Sequence, residues 1–279
     1  MIAARVWGSQ MLLSYLFIDG GFLQRLIAQA ADSYGIELNP LELNYSNIGA
    51  RFARTFYYDA WPARKNEKEE EYEAIISLKQ KLFDRINRTP NMHVRPGLTR
   101  NRSPKKTLEQ KGVDILLAID VLKHASLRNI AQAHIMTTDL DFFPLFEALL
   151  DTPVSVNLHC FPSKTSNELM SLADNVMPIT PYTVLTWFAY GDRDKFVQAM
   201  PAGELAKATP IKKGTCAGLP YFIYYERSLG TEMPYFGRSM AIDNLTVRRA
   251  AKLEHILWEF EARYGHPVEL ERSPPEGQG

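Results

Sequence analysis

The sequence predicts an α/β fold in which helices layer on a mainly parallel sheet. Three observations carry that expectation: short apolar runs that end in turn residues, amphipathic segments between them, and regular alternation of the two from residue 12 to about residue 180. Composition agrees. The 279 residues are 46% hydrophobic and 23% charged, which excludes disordered, collagen-like and disulfide-scaffold classes.

Residues 12–18 are short and apolar and break at Gly20 and Gly21, so they read as a buried strand entering a turn. Helical spacing then begins at Phe22, Leu23, Leu26 and Ile27. The apolar run is about half the roughly 20 residues of a membrane span and ends on Asp19, so neither a span nor a signal is expected. A second strand over 52–58 closes on Asp59 and the turn-prone Trp61-Pro62. Over 66–88 charges alternate in sign around Ile75, Leu78, Leu82, Phe83 and Ile86, the pattern of a helix with a solvated outer face. Residues 92–95 make a third strand.

Residues 95–111 carry Arg95, Arg100, Arg102, Lys105, Lys106 and Lys111 against Glu109 alone, and read as a mobile basic loop. A helix over 113–125 and a strand at 134–136 follow, ending in Thr137-Thr138-Asp139. The alternation continues with a helix over 142–150, a strand over 154–159, a short helix over 166–173 and a strand over 176–179. It stops near residue 185. The expected organisation is a leader over 1–11, an α/β domain over 12–185 and an extension over 186–279. In the extension, two strand-prone aromatic pieces flank Gly230. An amphipathic helix follows from about 245 to 264, with Asp243 or Asn244 as N-cap and Gly265 as terminator. Its face of Leu253, Ile256, Leu257 and Phe260 could join two copies of the chain, and the last nine residues read as disordered.

Lys plus Arg equals Asp plus Glu, 32 against 32, so a nucleic-acid site must be a local patch rather than a property of the whole surface. Cys160 and Cys216 are too few for a disulfide framework or a cysteine-rich zinc site, which places the chain in a reducing, cytoplasmic compartment.

In open parallel sheets ligands bind at the carboxyl ends of strands, near the point where strand order reverses. Asp19 follows the first strand, Asp139 and Asp141 follow the fourth, and Asp114 opens the preceding helix, so all four converge on one edge. Each alone is also an ordinary helix cap; the conjunction is what points to chemistry. Crowded carboxylates raise one another's pKa unless a cation lies between them, and Mg²⁺ or Mn²⁺ is the natural neutraliser. Asp120 is one and three-quarter turns beyond Asp114 and points to a different side.

The motifs Leu16-Phe17-Ile18-Asp19-Gly20-Gly21-Phe22, Lys111-Gly112-Val113-Asp114, Ala118-Ile119-Asp120 and Thr138-Asp139-Leu140-Asp141-Phe142-Phe143-Pro144 occur in that order. With Ser166-Asn167-Glu168-Leu169 through Ala173-Asp174, they resemble the NYN (LabA-like) family of PIN-like nucleases over about residues 12 to 180. The resemblance implies a PIN-like Rossmannoid three-layer sandwich and a metal-dependent nuclease. Its substrate would be single-stranded RNA, with DNA also compatible and no membrane partner. Asp19 and Asp139 would be principal metal ligands, Asp114 and Asp141 second ligands, and Asp120, Lys111, Thr138 and Ser166 supporting residues. Gly21-Phe22 stands where the family often has a polar residue that would orient Asp19, and Thr137-Thr138 replaces the usual Ser-Gly.

Arg95, Arg100, Arg102, Lys105 and Lys106 would neutralise substrate phosphates. Tyr221, Phe222, Tyr224 and Tyr225, with Arg227 and Arg238, either stack bases or form the core of a hairpin. Two other functions compete. One is a non-catalytic nucleic-acid-binding or regulatory module on the same scaffold. The other is a Mg-dependent phosphatase of the haloacid-dehalogenase type using Asp139-Leu140-Asp141, although there the nucleophilic pair follows the first strand.

Overall fold

The computed structural model describes residues 13–63, 67–97, 112–188, 209–216, 218–225, 235–239, 248–264 and 268–271. The first half builds six parallel strands: β1 (Ser14–Asp19), β2 (Arg54–Ala60), β3 (Met92–Gly97), β4 (Gln132–Met136), β5 (Ser155–Cys160) and β6 (Asn175–Pro178). They lie in the order β3-β2-β1-β4-β5-β6. Strand order therefore reverses between β1 and β4, and the carboxyl ends of these neighbours form the crevice where doubly wound sheets bind ligands.

Period-two alternation distributes β1 to both faces. Leu16 and Ile18 join the core under α1 (Gly20–Tyr34), α2 (Tyr45–Gly49) and α3 (Glu69–Arg88). Tyr15 and Phe17 join the core under α4 (Val113–Ser126), α5 (Phe143–Leu150) and α6 (Asn167–Ser171). Right-handed crossovers produce this division, because connections that move away from β1 in opposite directions place their helices on opposite faces. The result is the expected three-layer α/β sandwich.

After β6 comes α7 (Pro181–Thr186), capped by Thr180, an element not expected from the sequence. The extension forms a second, antiparallel sheet from β7 (Lys212–Cys216), β8 (Leu219–Tyr225), β9 (Tyr235–Ser239), β10 (Arg248–Ala250) and β11 (Val268–Leu270), in the order β10-β9-β8-β7-β11. The two aromatic strands are β8 and β9, as expected. The helix α8 (Leu253–Tyr264) starts later than residue 245, because Arg248–Ala250 pairs antiparallel with Tyr235–Gly237 and this long-range ladder overrides local helical spacing. Asp243, Asn244 and Gly265, the 1–11 leader and residues 272–279 lie outside the described residues.

α8 spends both faces inside the chain. Ile256 and Phe260 pack on the second sheet. Trp258 stacks on Phe161 with ring centroids 3.6 Å apart and donates its indole N–H to the Ile179 carbonyl at 3.0 Å. Beside it Glu259 accepts hydrogen bonds from the Tyr34 hydroxyl at 3.1 Å and the Tyr182 amide at 2.8 Å. Among the described residues, no helix is long and apolar enough to cross a membrane.

Candidate active site

Asp19 ends β1 and caps α1. One carboxylate oxygen accepts the Phe22 amide at 3.0 Å, and the other accepts the Thr137 hydroxyl at 3.1 Å. Burial holds its carboxyl above the usual range, against the opposing effects of the Phe22 amide, Arg25 and Thr137. Arg25 lies 3.9 Å away on α1, with 57% of its side chain exposed, so water screens much of its charge. Gly20 is required by a close approach: a Cβ there would meet both the Tyr57 ring and the Tyr58 carbonyl oxygen at 2.7 Å.

Thr137 is fully buried just past β4, and its hydroxyl also accepts the Asp139 amide at 3.2 Å. Asp139 in turn accepts the Asp141 amide at 3.0 Å and starts a single 3-10 turn, Leu140–Phe142. One buried hydroxyl thus ties the end of β1 to the loop after β4. Asp114 reaches the same place from α4. The Gly112 N-cap before it has φ +115°, a conformation that favours glycine. Burial raises the Asp114 carboxyl, and the negative charges of Asp19, Asp139 and Asp141 raise it further. The structure therefore brings together the four acids expected from sequence.

Their donor set is entirely oxygen, which suits a hard divalent cation. The oxygens of Asp19 and Asp139 that act as caps each retain a further lone pair. Among the described residues, no group of three or more His, Cys, Asp or Glu side chains is placed to hold a metal, so any ion here would rest on one or two carboxylates.

A family model, the NYN domain, matches residues 16–180, more than half of the chain. The chain belongs to the NYN family. A crystal structure of a protein of unknown function from Vibrio parahaemolyticus is similar at 15% identity and a TM-score of 0.38, covering 61% of this chain and 95% of that one. No curated protein matches.

The two departures from the NYN motif have a structural answer. Where the family often has a polar side chain after the first strand, the backbone amide of Phe22 orients Asp19. Where it has Ser-Gly, Thr137 keeps a hydroxyl, and that hydroxyl is the one that reaches Asp19, while Thr138 sits half-buried beside it. Thr137 and Arg25 were missed by sequence reasoning; a hydroxyl residue ending an apolar run just before Asp-x-Asp was the available signal. Ser166 caps α6 through the Leu169 amide at 3.2 Å, and Asp174 accepts the Val156 amide at 2.7 Å, so the last NYN element secures β5 and α6.

Asp120 stands apart, as its spacing implies. It is buried and accepts the Tyr58 hydroxyl at 3.0 Å, and a two-pronged Arg95 guanidinium at 2.8 and 3.1 Å. Arg95, expected on substrate phosphate, belongs to β3 and is engaged by this carboxylate. Arg100, Arg102, Lys105, Lys106 and Lys111 lie outside the described residues, as does Arg227. Of the aromatic group, Tyr221 and Tyr224 are buried in the extension, which accords with the hairpin-core alternative. Cys160 and Cys216 are buried free thiols, and burial pushes Cys160 up to about 11.

Proposed function

We propose that the protein is a divalent-metal-dependent ribonuclease that hydrolyses phosphodiester bonds in single-stranded RNA, acting in the cytoplasm. One observation supports this reading above others: four aspartates share the crevice between β1 and β4, with only the largely exposed Arg25 within ion-pair range of Asp19 among the described residues. Membership of a family of PIN-like nucleases supports hydrolysis. Asp19 and Asp139 would hold Mg²⁺ or Mn²⁺, with Asp114 and Asp141 at the rim. The ion would supply neutralisation of the crowded acids, polarisation of the scissile phosphate and a lowered pKa for water.

The chain's own contribution is positioning. The Phe22 amide and the Thr137 hydroxyl fix both oxygens of Asp19, and the Asp141 amide fixes Asp139, so neither carboxylate must reorganise when charge develops on the substrate. The test is cleavage of labelled single-stranded oligoribonucleotides with Mn²⁺ or Mg²⁺, and with excess EDTA. Metal-dependent cleavage abolished by EDTA is expected. Undiminished cleavage in chelator would overturn the metal requirement, and RNA binding without cleavage under any metal would make the protein a binding module.

A further inference from the structure

The crevice uses the carboxyl edge of the parallel sheet and leaves the cationic end of α3 unexplained. This helix returns from β2 to the start of β3, so its final turns lie toward the amino edge, away from the four acids. Lys81, Arg85 and Arg88 fall at i, i+4 and i+7, which places them on one face, and all are exposed. They line a cleft of about 530 Å³, in the range of small-ligand sites, with half-buried Leu41 in its wall and the buried Leu43 and Tyr45 beneath.

The cations are available. Arg85 spans the cleft and donates from Nε and Nη2 to the Leu43 carbonyl at 3.4 and 3.3 Å, which orients the guanidinium and leaves Nη1 over. Among the described residues neither Lys81 nor Arg88 forms an ion pair. The only carboxylate in the lining, Asp84, accepts the Gln80 amide at 2.7 Å. Three cations against one carboxylate leave a net charge of +2. The helix macrodipole accounts for little of this, because it amounts to about half a charge and fades within the last turn, whereas Lys81 lies two turns from the end. Tyr45 contributes a neutral ring, its hydroxyl donating to the Pro40 carbonyl at 3.3 Å.

We propose that this cleft is a second ligand site, which takes a phosphate with its attached nucleoside, either as a free nucleotide or as one unit of an RNA strand. Charge complementarity selects the phosphate, and the volume, with the half-buried Leu41 in the wall, accommodates more than a bare anion. The site needs neither the acids nor their metal.

The experiment titrates AMP and, separately, inorganic phosphate into the whole protein in excess EDTA, comparing wild type with Lys81→Ala/Arg88→Ala. It also measures the salt dependence of oligoribonucleotide binding for both proteins. The substituted side chains are exposed, and a thermal melt checks the fold. Saturable AMP binding that weakens roughly tenfold or more in the variant supports the site for free nucleotide. No AMP binding, but a log affinity against log salt slope shallower by about 1.4 in the variant, supports it for a strand unit, at roughly 0.7 per lost contact. Measurable AMP binding that is no tighter than inorganic phosphate overturns the nucleoside part, and no effect in either assay overturns the whole. Asp19→Asn should leave AMP affinity unchanged, so failure of the nuclease reading and failure of this one are separable.

Discussion

Two groups of carboxylates near the carboxyl edge of one sheet are treated in opposite ways. On the β2–β3 side, Tyr57 and Tyr58 point to opposite faces and each donates its hydroxyl to one buried acid, Asp59 or Asp120. Each acid also touches a cation: Lys79 for Asp59, and Arg95 for Asp120. Asp59 further accepts Gln24 at 2.9 Å and the Ala60 amide at 2.8 Å. At the junction of β1 and β4, Asp19, Asp114, Asp139 and Asp141 face one another, and Arg25 is the cation within ion-pair range of Asp19. Among the described residues, the same fold gives Asp59 and Asp120 a full set of partners, and gives the four acids that meet at β1 and β4 only Arg25 as a cation. Such an unevenly compensated group of acids is what the proposed metal site requires.

The largest expected effect breaks the compensated side. Lys79→Met leaves the Asp59 carboxylate buried without its cation, and should cost about 3 kcal/mol by chemical denaturation, the low end for a broken buried pair because three neutral donors remain. Asp19→Asn should instead preserve the melting temperature, since Asn can still cap α1, while lowering single-turnover RNA cleavage by roughly 10²- to 10³-fold. A variant that unfolds, or one that cleaves normally, would end the assignment.

Glu259 sharpens the contrast as a third case: a carboxyl with neutral donors and, among the described residues, no cation, pushed up to about 7 by burial between α1, α7 and its own helix. Because the folded state holds this proton more tightly than the unfolded chain, its contribution is full in acid and declines as pH rises through about 7. The denaturation midpoint should fall between about pH 4.5 and about pH 7 and level off above, by the equivalent of up to about 3 kcal/mol, and Glu259→Gln should flatten that slope. The smallest effect belongs to Asp114→Asn. Its raised carboxyl destabilises the metal-free protein only once ionised, so the variant should melt slightly higher in EDTA at neutral pH and at the wild-type temperature in acid.

The six strands and the four acids were legible because both rest on local pattern: apolar runs that stop at polar turns, and carboxylates at those stops. The displaced position of Asp120 was legible too, since six residues along a helix cannot return to the same side. What escaped depended on contacts distant in sequence. Arg95 reads as one more cation before a basic loop until Asp120, 25 residues later, is brought against it. Thr137 gains its role only when β4 pairs with β1, 118 residues from Asp19. The start of α8 shifted because β9 claims Arg248–Ala250. The cleft at the end of α3 resembled an ordinary solvated helix face, because its opposite wall comes from the segment around Leu43.

The contact of Trp258 with Phe161 and Ile179 also has a meaning in time. A chain made from its N-terminus completes all six parallel strands before the helix that covers this part of them exists. The roughly 85 residues from Ile179 to the end of α8 need about 4 to 17 s at ribosomal rates of 5–20 residues per second. For that interval the emerging molecule lacks the ring that stacks on Phe161 and the indole that donates to the Ile179 carbonyl, so this corner of the parallel-sheet layer gains its last two contacts at the end of synthesis.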